Sequence, residues 1–264
     1  MRNVELLFGI MLLVLGGVAL AATLLDLDVW RLFWPAALIL LGLWILLGTL
    51  IGPGPRALEQ VALRREGEHE ARLRLSHGAG RLTLAAGAGP GELLAGSFDG
   101  GVEVDRRMDG ERADVRLRPR VGTGLVLNLP WAWLRGIAWD VRLTCEIPLS
   151  LRIETGASQA DIDLSDLKVQ DFALSTGASD VRLRLPARAG ATRGRVEAGA
   201  ASVRVEIPDG VAARIRCSAA LGEAQIDRQR FARREGMYVS EGYETAEHRV
   251  DLTVEVGAGS VRVA

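Results

Sequence analysis

One short phrase returns along this chain and limits what it can fold into. IETGASQADIDL begins at Ile153, LSTGASDVRLRLP at Leu174, VEAGAASVRVEIP at Val196 and VEVGAGSVRVA at Val254. Gly156 to Gly177 is 21 residues, Gly177 to Gly199 is 22, and another 20 reaches Ala219 in the degenerate copy IRCSAALGEAQID. An earlier copy, LSHGAGRLTL, places Gly78 at the same point. Self-similarity at such a period is the signature of a repeat architecture, in which neighbouring units bury a core that none could bury alone.

The residues around the phrase define the unit. In DVRLRLP, Val181, Leu183 and Leu185 point one way while Arg182 and Arg184 point the other. A period of two with charged outward positions means a half-buried strand. The same alternation flanks the other copies, so each unit carries two alternating runs. The Gly-Ala-Ser phrase between them reads as a tight turn, with Gly156, Gly177, Gly199 and Gly257 supplying positive φ. The predicted fold is all-β: a β-solenoid of roughly 21-residue rungs, about nine of them over residues 67–264. An antiparallel sandwich is the other architecture these runs allow.

Recurrence also decides the role of the serines. Gly156-Ala157-Ser158-Gln159-Ala160 has the form of a nucleophile elbow, but that elbow needs a strand–turn–helix context and a downstream histidine. Here another strand follows, and the only later histidine is His248. Ser158, Ser179 and Ser202 are therefore expected at equivalent or nearly equivalent turn positions. His69, His77 and His248 lie at no ligand spacing from cysteines or carboxylates, which supports no metal site. Asp161 and Asp163 alternate on a solvated strand face. No catalytic residue, cofactor site or metal site is predicted.

Ahead of the repeats, residues 6–25 and 32–55 carry no charge. Each is long enough to cross a hydrocarbon core of ~30 Å as a helix. The expected organisation is a transmembrane hairpin over 1–52 (spans about 4–25 and 33–51), a linker over 53–66, and the β-domain from 67. Trp30 and Trp34 suit the membrane interface, and Pro35 the first turn of the second helix. Arg2 before the hairpin and Arg56, Arg64 and Arg65 after it favour cytoplasmic termini, so the chain reads as a multi-pass protein of the cell membrane in contact with the lipid bilayer. Without Arg2, Glu5, Asp26, Asp28 and Arg31, the remainder has 30 basic and 30 acidic residues (32 − 2 and 33 − 3), a balance that argues against nucleic-acid binding. Cys145 and Cys217 match no redox or metal spacing and are expected as small apolar residues on inner strand faces.

Two irregular segments are the candidate interaction sites. LVLNLPWAWLRGIAWD, residues 125–140, holds Trp131, Trp133 and Trp139, suited to a membrane interface, a protein contact or a widened core. Residues 227–249 break the period and carry Phe231, Arg233, Arg234, Tyr238 and Tyr243. An insertion in a repeat array maps to a loop, which either binds a partner or caps the last rung.

The hairpin WRLFWPAALILLGLWILL resembles the transmembrane region of bacterial LiaI/LiaF-like proteins. The phrases IETGASQADIDL, LSTGASDVRLRLP and VEVGAGSVRVA resemble the toast-rack β-domain of LiaF-type envelope-stress proteins and related adhesin-head-like domains. The resemblance implies a bacterial membrane protein that modulates a two-component sensor kinase during cell-envelope stress, with no catalytic residues to carry over. A structural or adhesion-like scaffold with a β-solenoid binding face is the second function it implies. Homo-oligomers are compatible with either.

Overall fold

The computed structural model describes residues 58–120 and 137–264, together with Trp34 and Leu38, which are helical and exposed. Apart from those two residues the expected transmembrane hairpin lies outside the described residues, as do Trp131 and Trp133. Among the described residues no helix is long and apolar enough to cross a membrane. Arg56–Arg120 and Arg135–Ala264 form one unit, and the β-structure belongs to it.

Its thirteen strands are β1 (Leu58–Arg64), β2 (Glu70–Ala86), β3 (Glu92–Asp99), β4 (Val102–Asp109), β5 (Arg112–Pro119), β6 (Ile137–Leu143), β7 (Leu149–Asp163), β8 (Val169–Arg184), β9 (Ala191–Glu206), β10 (Ala212–Ile226), β11 (Phe231–Arg234), β12 (Met237–Ser240) and β13 (Arg249–Val263). Six of them run parallel in the spatial order β2-β7-β8-β9-β13-β10, each 15 to 17 residues long. These six are the rungs. The expected nine rungs are not formed, because before and after the first rung, β2, the chain builds the antiparallel pairs β1–β3 and β4–β5 instead of further rungs. The expected linker likewise contains a strand, with β1 pairing antiparallel to β3.

Each rung is one strand with a step in it. In β7 the buried positions are Leu149, Leu151, Ile153 and Thr155, then Ser158, Ala160 and Ile162. Gly156 and Ala157 are both exposed, so the inward face passes from odd to even residues across them. Thr192–Ala198 and Ala201–Val205 of β9 repeat the shift. The step turns two successive arms onto a common core while strand pairing continues on either side of the glycine.

The predicted tight turn is thus a mid-strand step, and none of Gly156, Gly177, Gly199 and Gly257 has positive φ. What excludes a side chain is the rung alongside. A β-carbon on Gly156 would lie 2.5 Å from the Gly78 carbonyl oxygen, on Gly177 3.0 Å from that of Gly156, on Gly199 2.9 Å from that of Gly177, and on Gly257 2.7 Å from that of Gly199. Positive φ occurs two residues later, at Gly80, Gly222 and Gly259. Register corrects one alignment and sets another one residue apart. Ala220, not Ala219, lies in the row of Gly257, and Ser202 pairs with Asp180 while Ser179 pairs with Ala201.

The first arms extend from β2 to β5 and β4, and the second arms from β2 to β6, β3 and β1. One continuous core results, rich in Leu and Val. Phe172 lies beside Gly194 of the next rung, where a β-carbon would sit 2.2 Å from the ring. β13 enters between β9 and β10, placing Val254, Val256, Val261 and Val263 beside Val196, Ala198, Val203 and Val205. The degenerate β10, with Ala, Gly and Glu in its second arm, stands at the end of the stack, where only one of its edges meets another rung. Both cysteines are free: Cys217 packs partly buried against the core, whereas Cys145 is exposed in a bend after β6 and not on an inner strand face.

Candidate functional site

The step is where this fold concentrates polar groups. Inside it, the Thr155 hydroxyl donates to Thr176 Oγ1 at 2.8 Å, and Thr176 Oγ1 and Ser179 Oγ are 2.6 Å apart. His77 occupies the same row, opposite Thr155, and its Nε2 lies 3.1 Å from the Ile137 carbonyl oxygen. Burial lowers the His77 pKa below its ordinary 6.5, partly offset by that carbonyl. His77 Nδ1, Ser158 Oγ and Trp139 Nε1 are buried without a hydrogen-bond partner among the described residues. Two of the three serines are therefore held within the step, Ser158 buried and Ser179 bonded back to its own rung, whereas Ser202 is exposed and accepts from the Ser260 hydroxyl at 3.3 Å.

Outside the step, a groove of about 680 Å³ crosses the rungs. The missing side chains at Gly199 and Gly257 open part of it, and one flank is the row Glu154, Ser175, Glu197, Glu255, Ser218, one residue from each of five rungs. Glu197 takes a 3.2 Å ion pair from Arg195, but no basic side chain lines the groove. Among the described residues there is no group of three His, Cys, Asp or Glu side chains placed to hold a metal ion.

Away from the step, the outer face carries ion-pair ladders. Arg184 reaches Asp163 at 3.2 Å and Glu206 at 3.0 Å, tying three rungs. Burial alone would raise the Asp163 pKa, but hydrogen bonds from the Ser165 hydroxyl and amide, with the Arg184 charge, leave it lowered.

The sequence-predicted interaction residues divide. Trp139 is buried, edge-on to Phe98 at 5.1 Å and to His77 at 5.2 Å, so it is a core residue and not a contact surface. Residues 227–249 include the β11–β12 hairpin, which pairs with the first arm of β10 at Arg214 and Ile215. Phe231 is fully buried there, and Tyr243 is nearly so, under the Arg214 guanidinium at 4.3 Å. Arg230 donates to the Pro208 carbonyl at 2.6 Å and the Val211 carbonyl at 3.3 Å, locking the hairpin to the turn before β10. The segment is a cap, which removes Phe231 from any binding face. Arg233 and Arg234 are exposed, with Arg233 6.0 Å from the ring centre of the half-buried Tyr238. The acidic row was not singled out from the sequence, although Glu two residues before each glycine in three copies is its signal.

The architecture is similar to that of a candidate cell adhesion protein from Clostridium sporogenes ATCC 15579, with a TM-score of 0.70 at 17% identity over 79% of this chain and 98% of that one. A candidate adhesin from Bacteroides fragilis NCTC 9343 aligns over 79% of this chain and 97% of its own at 6% identity, with a TM-score of 0.27 that carries no fold assignment. No curated protein sequence matches the chain. Residues 53–206, from before β1 to the end of β9, match the model of the N-terminal domain of toast_rack, DUF2154, and since that match spans more than half of its length, the chain belongs to this family.

Proposed function

We propose that this protein is a non-enzymatic, membrane-anchored component of the bacterial envelope, LiaF-like, which regulates a two-component sensor kinase through contacts of its spans and its toast-rack domain. The observation that carries the reading is the pairing of two uncharged segments, residues 6–25 and 32–55, with a toast-rack body that begins at once after them. The Ser158 and Ser179 hydroxyls turned into the step and an open acidic groove favour contact over chemistry. A scaffold or adhesion role is the second reading, favoured by the fold it shares with the Clostridium sporogenes protein.

Topology separates the two. A reporter fused after Ala264 is active on the cytoplasmic side in the regulatory reading, and carbonate washing leaves the chain in the membrane pellet. In the same cells, deleting the chain alters stress-induced phosphorylation of the kinase's response regulator. An external C-terminus with unchanged phosphorylation assigns the scaffold role instead, and release by carbonate removes both.

A further inference from the structure

The stack of six rungs has four arm ends, and among the described residues two are followed by a further strand and a third is paired over only two residues. At β2 the first arm is followed by β5 and the second by β6. At β10 the first arm is paired to β12 only at Arg214 and Ile215. From Arg216, through the end of the first arm and into the second, β10 is paired to β13 alone. Among the described residues no strand pairs with its other edge as far as Gln225, and only the Arg216 side chain reaches β12, donating to Met237 Sδ at 3.5 Å.

That edge lacks most of the devices by which proteins blunt open strands, its charges being limited to the outward Arg216 and Glu223. It contains no proline and no lysine. Its inward positions, set by register with Val254, Val256, Gly259 and Val261 of β13, are Cys217, Ala219, Gly222 and Ala224, none of them charged. Leu221 at the step is 75% exposed. A half-completed core layer is left facing out, and the occupant that fits it is another strand stepped at the same point.

The edge is also its own complement. The midpoint of Arg216–Gln225 falls between Ala220 and Leu221, the two consecutive outward residues of the step. Reflection through it sets Ala219 against Gly222, Ser218 against Glu223, Cys217 against Ala224 and Arg216 against Gln225. Inward residues meet inward ones, outward meet outward, and step meets step. No like charges face each other, and Arg216 falls diagonal to Glu223, a favourable cross-strand neighbour. A two-fold axis through the step therefore maps the open edge onto itself, which is the condition for an isologous interface.

We propose that Arg216–Gln225 of β10 pairs antiparallel with the same segment of a second copy, joining two toast racks end to end through one continuous sheet. The native Cys217 supplies a register probe, since its partner position is Ala224 on the other copy.

The test uses the full chain purified in mild detergent, with mass measured by sedimentation or light scattering. The wild-type chain is expected to be a dimer at micromolar concentration. Ala224→Lys, which puts a charge on the inward face of an exposed position, is expected to weaken association by roughly tenfold or more with thermal unfolding unchanged. Under a mild thiol oxidant, Ala224→Cys is expected to form a disulfide-linked dimer with Cys217, whereas Gln225→Cys, one residue out of register, is not. A wild-type monomer, a dimer indifferent to Ala224→Lys, or equal cross-linking of the two cysteine variants would overturn the proposal.

Discussion

The carbonyl oxygen of Gly156 lies 3.0 Å from where a β-carbon on Gly177 would sit, and Gly156 itself stands 2.5 Å by the same measure from the carbonyl of Gly78. Both glycines are extended, so the requirement comes from the adjacent rung and not from their own φ. Backbone cannot yield as a flexible side-chain tip can, so the shorter approach sets the larger cost. Gly156→Ala is expected to destabilise the protein by about 2–3 kcal/mol and Gly177→Ala by about 1 kcal/mol. Ser179→Ala, which removes the bond to Thr176, costs about 1 kcal/mol. Denaturant titration of the three variants checks the order, and equal values for the two glycine variants would remove close approach as the explanation.

Much of this was legible in the sequence, for a physical reason. Alternation around Val181–Leu185 is strong because one strand face is buried and the other charged, so strand identity and repeat period follow directly. The step was misread because glycine is needed both at positive φ and at close approach, and a single sequence does not separate the two. The insertion of β13 between β9 and β10 was hidden for a different reason: spatial neighbours are chosen by matching Val254–Val263 to Val196–Val205, across a long separation in the chain. Trp139 could not be assigned because an indole suits a core, an interface and a membrane surface equally well. The acidic row left a signal in Glu154, Glu197 and Glu255, each two residues before its glycine, but only register places Glu197 beside Glu255 as one flank of a groove.

Glu68 is the one acidic side chain of the described residues that is buried outright, and Arg106 of β4 holds it, with Nη2 3.2 Å from Oε1 and 3.3 Å from Oε2. Arg106 Nη1 also donates to the Arg64 carbonyl at 2.8 Å, so one guanidinium ties β4 to the end of β1. Removing one partner of a buried pair strands the other's charge. Arg106→Ala is expected to cost about 3 kcal/mol, and adding Glu68→Gln to that variant to recover part of the loss. A denaturation midpoint for the double variant below that of Arg106→Ala alone would contradict the pairing.

His77 makes stability depend on pH in a defined window. Its folded pKa is depressed below the unfolded 6.5, chiefly by burial, so between those two values the unfolded chain binds more protons than the folded one. Stability is complete above 6.5 and falls as the pH drops through the window. The lowered carboxyl of Asp163 acts in the same direction, but only below its own unfolded value of 3.8. Threonine stands at the equivalent row position in β7 and β8, so His77→Thr is a compatible replacement. Its denaturation midpoint should change less than that of the wild type between neutral and mildly acidic pH. An identical pH profile for both would show that His77 does not govern this range.

Phe231 decides between a cap and a binding loop for residues 227–249. Its ring is fully buried at the end of the first arm, while Arg233 and Arg234 on the same strand are exposed. A cap contributes by covering the last core layer, so truncating its anchor leaves a cavity as well as losing burial. Phe231→Ala is expected to cost about 3–4 kcal/mol, whereas Arg233→Ala and Arg234→Ala should stay within about 0.5 kcal/mol. Loss of the cap would also bare the start of the first arm of β10 beside an edge already open from Arg216, so Phe231→Ala should lower thermal stability and increase aggregation together. Unfolding measured by tryptophan fluorescence, with light scattering recorded alongside, reads both. If Phe231→Ala unfolded like the wild type, the hairpin would not be closing the stack, and the insertion would have to be understood as a binding loop.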